Sequence, residues 1–365
     1  MSSAVGNIQR KHNYSVPMKI LLGWELGAGQ GHIQRLVSLA QALAAHGYTP
    51  VFALKSFNLK GQSFPWERIL APRLPFSGRE ASHTFADILA TFGFADANLL
   101  GAHLQAWQEV LQAVKPDLVV TDHAPGLVLA AQGRVPTVVI GSHFSVPPPI
   151  EIFPILRFPA PPESIERQEK VSDAFRKVVK LDVPLGQLLN GDRSFIFSIP
   201  ELDCYRAWRT NPQYVGIHIA PLPKNEPHKN PSTWAYLATD YSWRDLVLNT
   251  LNPQCDFKPL HEVLVNNSLA IHHGGLTTTI GCLLAGVPQL LLPRYLEQQL
   301  NAFSLLQLGV AQTVTSPTWE NLLMAQAQAV NLAQKAKLLA ENLTQWNQNF
   351  VEIIIKTCLQ LLETA

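Results

Sequence analysis

The sequence predicts an α/β protein with two doubly wound parallel sheets facing each other across a cleft. Three observations carry this prediction. The chain has 365 residues, more than one ordinary domain and about right for two. Strand-like and helix-like stretches alternate in both halves. Several of the strands are continuous apolar runs rather than alternating ones, as expected where helices cover both faces of a sheet.

In the first half, Lys19 to Trp24 is a short apolar run followed by a glycine-rich turn at Gly27, Gly29 and Gly31. From Ile33 to Ala45 the apolar residues Ile33, Leu36, Val37, Leu39, Ala40 and Leu43 recur at helical spacing, and Gly47 stops the helix. Pro50 to Leu54 is the next strand, which completes a βαβ unit. Asp117 to Thr121 and Thr137 to Gly141 are buried strands separated by a short helix from Pro125 to Gln132. The proline-rich stretch 147–162 is a long loop, of the kind more often functional than idle. Residues 163–190 are helical, and Ser194 to Ile199 is a strand.

Residues 1–17 are polar and mixed and predict a loose leader, with the first domain over 18–220. The proline-rich, charged stretch 221–231 is the expected linker. In the second domain, 232–365, strands are predicted at Trp234–Ala238, Leu269–Ile271 and Gln289–Leu292. Helices are predicted at Trp243–Leu251, Thr277–Ala285 and Glu297–Leu308, with a helical tail from Thr318 that could return to the first domain.

Charged residues make up 15% of the chain and the formal net charge is +1, which leaves no basic stripe for nucleic acid. The four cysteines stand far apart, with no Cys-x-x-Cys pair, so neither a disulfide scaffold nor a zinc site is expected. A reducing, cytoplasmic setting is the default. No apolar run reaches membrane-spanning length, and peripheral membrane contact is left open.

The most specific pattern runs His272-His273-Gly274-Gly275-Leu276-Thr277-Thr278-Thr279, then Gly286-Val287-Pro288, Pro293, Glu297-Gln298 and Asn301-Ala302. It describes a strand that ends in a glycine turn and opens a helix. Glycines there let backbone approach a ligand, and the free N–H groups of a helix start, with the Thr277 and Thr278 hydroxyls, suit a phosphate. His273 is placed to donate to a diphosphate oxygen. Taken singly, each residue has a plainer reading: a threonine cap, a packed histidine, a first-turn glutamate favoured by the helix dipole.

This segment resembles the donor-binding signature of family 1 glycosyltransferases, enzymes of the GT-B fold. The resemblance implies that His273 and its turn bind a nucleotide diphosphate and that Glu297 and Gln298 bind the donor sugar. Phe257 is similar to the aromatic that stacks on the base, and Thr239 sits where members carry a phosphate-touching hydroxyl. Leu260 replaces the family's glutamine, and Gly281 stands where many members carry a ribose-binding glutamate. Between Leu251 and Phe257 about one βα unit of the second domain is missing.

In the first domain, the Gly27–His32 turn lacks the third glycine of a dinucleotide fingerprint, and the second strand ends near Lys55 rather than an acid. The resemblance instead implies that His32 is the catalytic base and Asp122 its partner. An acceptor hydroxyl needs such a base, and an aspartate on the other ring nitrogen fixes the tautomer and stabilises the imidazolium. His123, His143 and Phe144 lie at strand carboxyl ends and are expected to line the acceptor pocket, with His123 or His143 as the alternative base. The aromatic content of 57–110 and 147–162 hints at a lipophilic acceptor. The expected activity is transfer of a hexose from a nucleotide-diphosphate sugar, a UDP-sugar first, to an acceptor hydroxyl with inversion. No metal and no cofactor beyond that co-substrate are expected. The alternatives are a degenerate, non-catalytic member of the fold that binds a ligand or partner, and a sugar-nucleotide epimerase.

Overall fold

A computed structural model describes residues 17–27, 31–57, 64–76, 82–219, 232–255 and 258–364. The linker expected over 221–231, the leader apart from Pro17, and Phe257 lie outside these residues.

Six strands form the first sheet: β1 (Lys19–Trp24), β2 (Thr49–Leu54), β3 (Glu67–Leu70), β4 (Leu118–Asp122), β5 (Thr137–Gly141) and β6 (Arg193–Ile196). All are parallel, in the order β3-β2-β1-β4-β5-β6. The chain winds outward from β1 to one edge and then returns to build the other side from β4. The strand order therefore reverses between β1 and β4, the place where such sheets bind ligands. Strands β4 and β5 are buried along their whole length, as their continuous apolar sequence demands. Helix α1 (Gly31–Ala45) covers one face through Ile33, Leu36, Leu39, Ala40 and Leu43. Helices α2 (Phe85–Thr91), α3 (Ala97–Val114), α4 (Pro125–Ala131), α5 (Pro162–Val179) and α6 (Leu185–Leu188) complete the domain. Phe85, Phe94, Trp107, Leu127, Val171 and Phe175 are core residues of the second layer.

The second sheet has four strands among the described residues: β7 (Thr233–Tyr236), β8 (Leu269–His272), β9 (Gln289–Leu291) and β10 (Ala311–Thr313). They are parallel and stand in simple sequence order, with β7 at the edge. Helices α7 (Arg244–Leu251), α8 (Leu260–Asn266), α9 (Leu276–Ala285) and α10 (Leu296–Leu308) alternate with them. After α7 the chain does return to the outer side of β7, but only for one residue. Gln254 bridges Trp234, donating its N–H to Thr233 O and accepting that of Ala235, both at 2.8 Å. This bridge satisfies part of an edge that would otherwise present unpaired backbone groups.

The helical tail divides into α11 (Trp319–Val330), α12 (Ala333–Leu343) and α13 (Phe350–Thr364). The apolar face of α13, with Ile354, Ile355, Cys358 and Leu362, joins the cluster formed by α1 and the first sheet. The domains also share a core. Ile199, Leu202, Ile217 and Ile219 pack with Leu276, Ile280 and Leu283 of α9. Among the described residues, no helix is long and apolar enough to cross a membrane.

Candidate active site

Strand β1 delivers the chain into the Gly27 turn, and α1 begins at Gly31, so His32 stands in the first helical turn at the switch point. Asp122 ends β4 beside it. The register pairs Asp122 with Trp24, which brings the two turns together. His32 donates through Nδ1 to Asp122 Oδ1 at 2.7 Å, and its ring stacks on Trp24 with centroids 5.5 Å apart. Asp122 is wholly buried. Burial alone would raise its pKa, but the charges of Arg35 and His32, with their hydrogen bonds, outweigh it and hold the carboxyl well below the usual carboxylate range.

Arg35 was not singled out in the sequence. It donates through Nε to Asp122 Oδ2 at 2.8 Å, and its Nη2 lies 2.7 Å from the same oxygen. A signal for it existed, because positions three apart on a helix share a face and His32 and Arg35 have that spacing. Lys55 is a second addition. Its ammonium donates to Gly27 O and lies over the Trp24 ring. Glu25, buried, accepts the Gly126 N–H at 2.8 Å and pairs with His103 at 2.5 Å, tying the Gly27 turn to α4 and α3.

In the second domain the glycine turn joins β8 to α9. Gly274 has φ +85°, and a Cβ there would lie 3.0 Å from the backbone oxygen of Gln298. Only glycine fits both demands. A Cβ on Gly275 would meet nothing within 4 Å, and no side chain caps α9. The first N–H groups of this helix are thus unclaimed by a cap, the arrangement that favours an anion. Thr277 is exposed and Thr278 half-buried, while Thr239 is exposed just beyond β7. Asn301 donates to Gly274 O at 2.9 Å, which gives this residue of the pattern a structural task.

His273 requires a correction. Its Nδ1–H donates to Leu292 O at 2.7 Å, and its Nε2 accepts the Ala238 N–H at 3.0 Å. Burial lowers its pKa, so the ring is neutral and both nitrogens are engaged. It has no N–H left for a diphosphate oxygen and instead fastens the β8 turn to the ends of β7 and β9. Gln298 is also engaged, accepting the Arg294 N–H at 2.8 Å. Arg294 in turn forms a two-point pair with Asp240 at 2.8 and 3.1 Å across the exits of β9 and β7.

The expected acceptor residues divide. His143 has no exposed surface, and its Nδ1 is 3.0 Å from Ser198 Oγ. Phe144 is buried against Phe85, with centroids 6.1 Å apart. The turn that carries them is clamped by Arg209, which donates to His143 O and Val146 O and pairs with buried Asp203. These two side chains build the wall rather than offer a surface to an acceptor, and a wholly buried His143 is no base. His123 keeps an edge toward Gly27. Half-buried Glu297, in the first turn of α10, is near enough for its charge to act on His143. Arg157 of the proline-rich loop donates to Gln299, so the two sheets' carboxyl edges stand side by side.

The two departures from the donor-site pattern touch each other. A Cβ at Gly281 would lie 2.5 Å from Leu260 Cδ2, so the leucine occupies the space a side chain at 281 would need. Among the described residues, no group of three His, Cys, Asp or Glu side chains could hold a metal ion.

The comparisons bear on the whole chain. A calicheamicin glycosyltransferase covers 95% of this chain and 98% of its own, with a TM-score of 0.65 at 15% identity. A spinosyn rhamnosyltransferase covers 93% and 100%, with a TM-score of 0.63 at 16% identity. The chain has the GT-B glycosyltransferase fold. A GT-B glycosyltransferase of Streptomyces sp. SF2575, complexed with thymidine diphosphate, covers 93% and 99%, with a TM-score of 0.59 at 18% identity. Residues 250–347 match the family described as erythromycin biosynthesis protein CIII-like, C-terminal domain. The elloramycin glycosyltransferase of Streptomyces olivaceus is 39% identical over 62 residues, which span 17% of this chain and 16% of that relative's length. The GT-B fold is shared along nearly the whole chain, and the family match covers residues 250–347.

Proposed function

We propose that this chain transfers a sugar from a nucleoside diphosphate to an acceptor hydroxyl with inversion. The observation that carries the reading is the His32–Asp122 pair at the switch point of the first sheet. Asp122, ionised and buried, fixes His32 with its proton on Nδ1 and leaves Nε2 bare to take the acceptor's proton. The oxygen attacks the anomeric carbon from the face opposite the diphosphate. The electron pair of the breaking bond leaves on the phosphate, where the uncapped start of α9 and the Thr277 and Thr278 hydroxyls receive it. Thr239 and Glu297 border the same turn and are assigned to phosphate and donor sugar respectively.

Thymidine diphosphate suits this site better than uridine diphosphate. Gly281 and Leu260 make an apolar contact where the family resemblance implies a ribose-binding carboxylate in many members. A 2′-deoxyribose has one hydroxyl fewer to leave unpaired there. The thymidine diphosphate complex of the related fold points the same way. The same apolar contact, with the four-stranded sheet, favours as second reading a nucleotide binder without turnover.

Calorimetry with thymidine and uridine diphosphates, together with release of nucleotide from their glucose conjugates, tests both. Tighter binding of thymidine diphosphate is expected, with turnover lost by about 10²–10⁴-fold in His32→Ala at unchanged nucleotide affinity. Binding without any turnover selects the second reading. Binding of neither nucleotide sinks both.

A further inference from the structure

His123 follows Asp122 directly and is built into the site with care. Its backbone is left-handed, with φ +52°, a conformation histidine adopts at some cost and which clusters at functional sites. Its carbonyl accepts the Leu26 N–H at 2.9 Å, which locks the turn after β4 to the turn after β1. The residue is only 9% exposed, and its ring is tilted against His32 with centroids 6.0 Å apart and against Phe85 at 6.3 Å.

Neither nitrogen of His123 has a hydrogen-bond partner among the described residues, and Nε2 is wholly buried. Nδ1 faces Gly27. The point that a Cβ on Gly27 would take lies 3.0 Å from His123 Nδ1 and 2.8 Å from His32 Nε2. Gly27 carries no side chain and has φ +81°. The two imidazoles therefore bring their free nitrogens to the same side of Gly27, whose missing side chain lets both rings approach.

The ring's protonation follows from its surroundings. Burial, the neighbouring His32, and the Lys55 and Arg35 charges push its pKa down to about 3 against the pull of Asp122. The ring is neutral at physiological pH and carries one proton. A buried N–H without an acceptor is rarer and costlier than a buried bare lone pair. The proton belongs on Nδ1, on the side of Gly27 and His32 Nε2, and the bare Nε2 is the buried one.

We propose that His123 is a second catalytic residue of this site, whose Nδ1–H donates to the acceptor hydroxyl oxygen while His32 Nε2 accepts that hydroxyl's proton. The proposal rests on the glycosyl-transfer reading. The hydrogen bond from His123 claims one lone pair and turns the hydroxyl proton toward His32. The other lone pair remains for attack on the anomeric carbon. As the O–H bond breaks and the new C–O bond forms, His123 keeps its own proton. Its bond strengthens while negative charge collects on the oxygen.

The test uses two variants suited to a left-handed backbone. His123→Gly removes the donor without strain, and His123→Asn replaces the Nδ1–H with an amide N–H. Thymidine-diphosphate glucose serves as donor and 4-methylumbelliferone as acceptor. His123→Gly is expected to lower kcat by about 10²-fold with thymidine diphosphate affinity unchanged, and His123→Asn to recover most of that loss. In ¹⁵N-histidine-labelled protein, the His123 ring is expected in the Nδ1–H form, a readout that needs no turnover. An Nε2–H or charged ring overturns the proposal. So does a His123→Gly enzyme within about threefold of the wild type, or an Asn variant as slow as the Gly variant. Absence of transfer by a wild-type protein with the Nδ1–H ring present overturns the glycosyl-transfer reading, and the catalytic role with it.

Discussion

Among the described residues, the first sheet has six strands and its strand order reverses between β1 and β4, whereas the second has four in simple sequence order. If strands β7 to β10 are set against β1, β4, β5 and β6, the described residues of the second domain contain no counterpart of the wing that β2 and β3 form in the first. The bridge at Gln254 is what stands in the place of β2. Each domain nonetheless carries its candidate turn on its best-supported strands. Asp122 sits on β4, buried between β1 and β5, and the Gly274 turn follows β8, held between β7 and β9. A sheet of this kind can lose an outer wing and keep its site, because the site is placed by the strands at its centre.

The comparison breaks most sharply if the two turns do not divide the work. Asp122→Asn keeps the shape of the side chain but removes the charge that fixes His32. It should lower kcat by about 10³–10⁴-fold and leave nucleotide affinity unchanged. Gly274→Ala places a methyl against the Gln298 carbonyl at an unfavourable φ. It should cost about 1–2 kcal/mol of stability and weaken nucleotide binding about tenfold. Parallel calorimetry and turnover on the two variants decide the matter. If Asp122→Asn loses the nucleotide, the chemistry and the binding do not belong to separate domains.

Acid should find weak histidines in both domains, His123 and His143 in the first and His272 and His273 in the second, all held low by burial. His123 is pushed down to about 3 by burial and its cationic neighbours, and His272 to about 4 by burial, against the upward pull of its Gln289 hydrogen bond. An unfolded histidine titrates near 6.5, so from about pH 6.5 down to those values the unfolded chain binds the extra proton. Stability therefore falls as pH falls across that window, by up to about 1.4 kcal/mol per pH unit for each ring. Asp122 behaves differently. Its folded pKa is depressed, so its contribution is intact above about pH 4 and is lost only below. Urea unfolding from pH 7 to pH 4.5 should thus reveal the histidines alone, with His123→Asn and His272→Gln each flattening the slope. An unchanged slope in both variants means that neither ring is held neutral.

The same contrast explains what could be read from sequence. Strands buried on both faces, such as Leu118–Asp122 and Thr137–Gly141, announce themselves as apolar runs. Strand β3 is a mostly exposed edge, and β10 has three residues; neither carries a pattern strong enough to notice. The 57–110 stretch, whose aromatics hint at a lipophilic acceptor, also contains α2 and most of α3, whose Leu100, Leu104 and Trp107 are core. In the site, the pairing of His32 with Asp122 was legible through the family pattern. The engagement of His273 was not, because its partners Ala238 and Leu292 contribute only backbone atoms, which no side-chain identity reports. The Glu25–His103 pair spans 78 positions and leaves no local trace.

The finest test of the comparison is at the wall the second domain lacks. Leu260 and Gly281 are a matched pair, since the leucine lies where a side chain at 281 would begin. Gly281→Glu alone must displace Leu260 and should bring no gain in uridine diphosphate affinity. Its better helix propensity, about 1 kcal/mol, is set against that repacking. Gly281→Glu with Leu260→Gln relieves the clash and supplies hydrogen-bonding groups toward a ribose. The double variant should shift the ratio of uridine to thymidine diphosphate affinity about fivefold toward uridine, the worth of one added hydrogen bond. Additive single effects would mean that the two positions do not share a pocket wall. A shift present only in the double variant would show that the nucleoside side of this site was closed by two coupled changes, independently of the missing sheet wing.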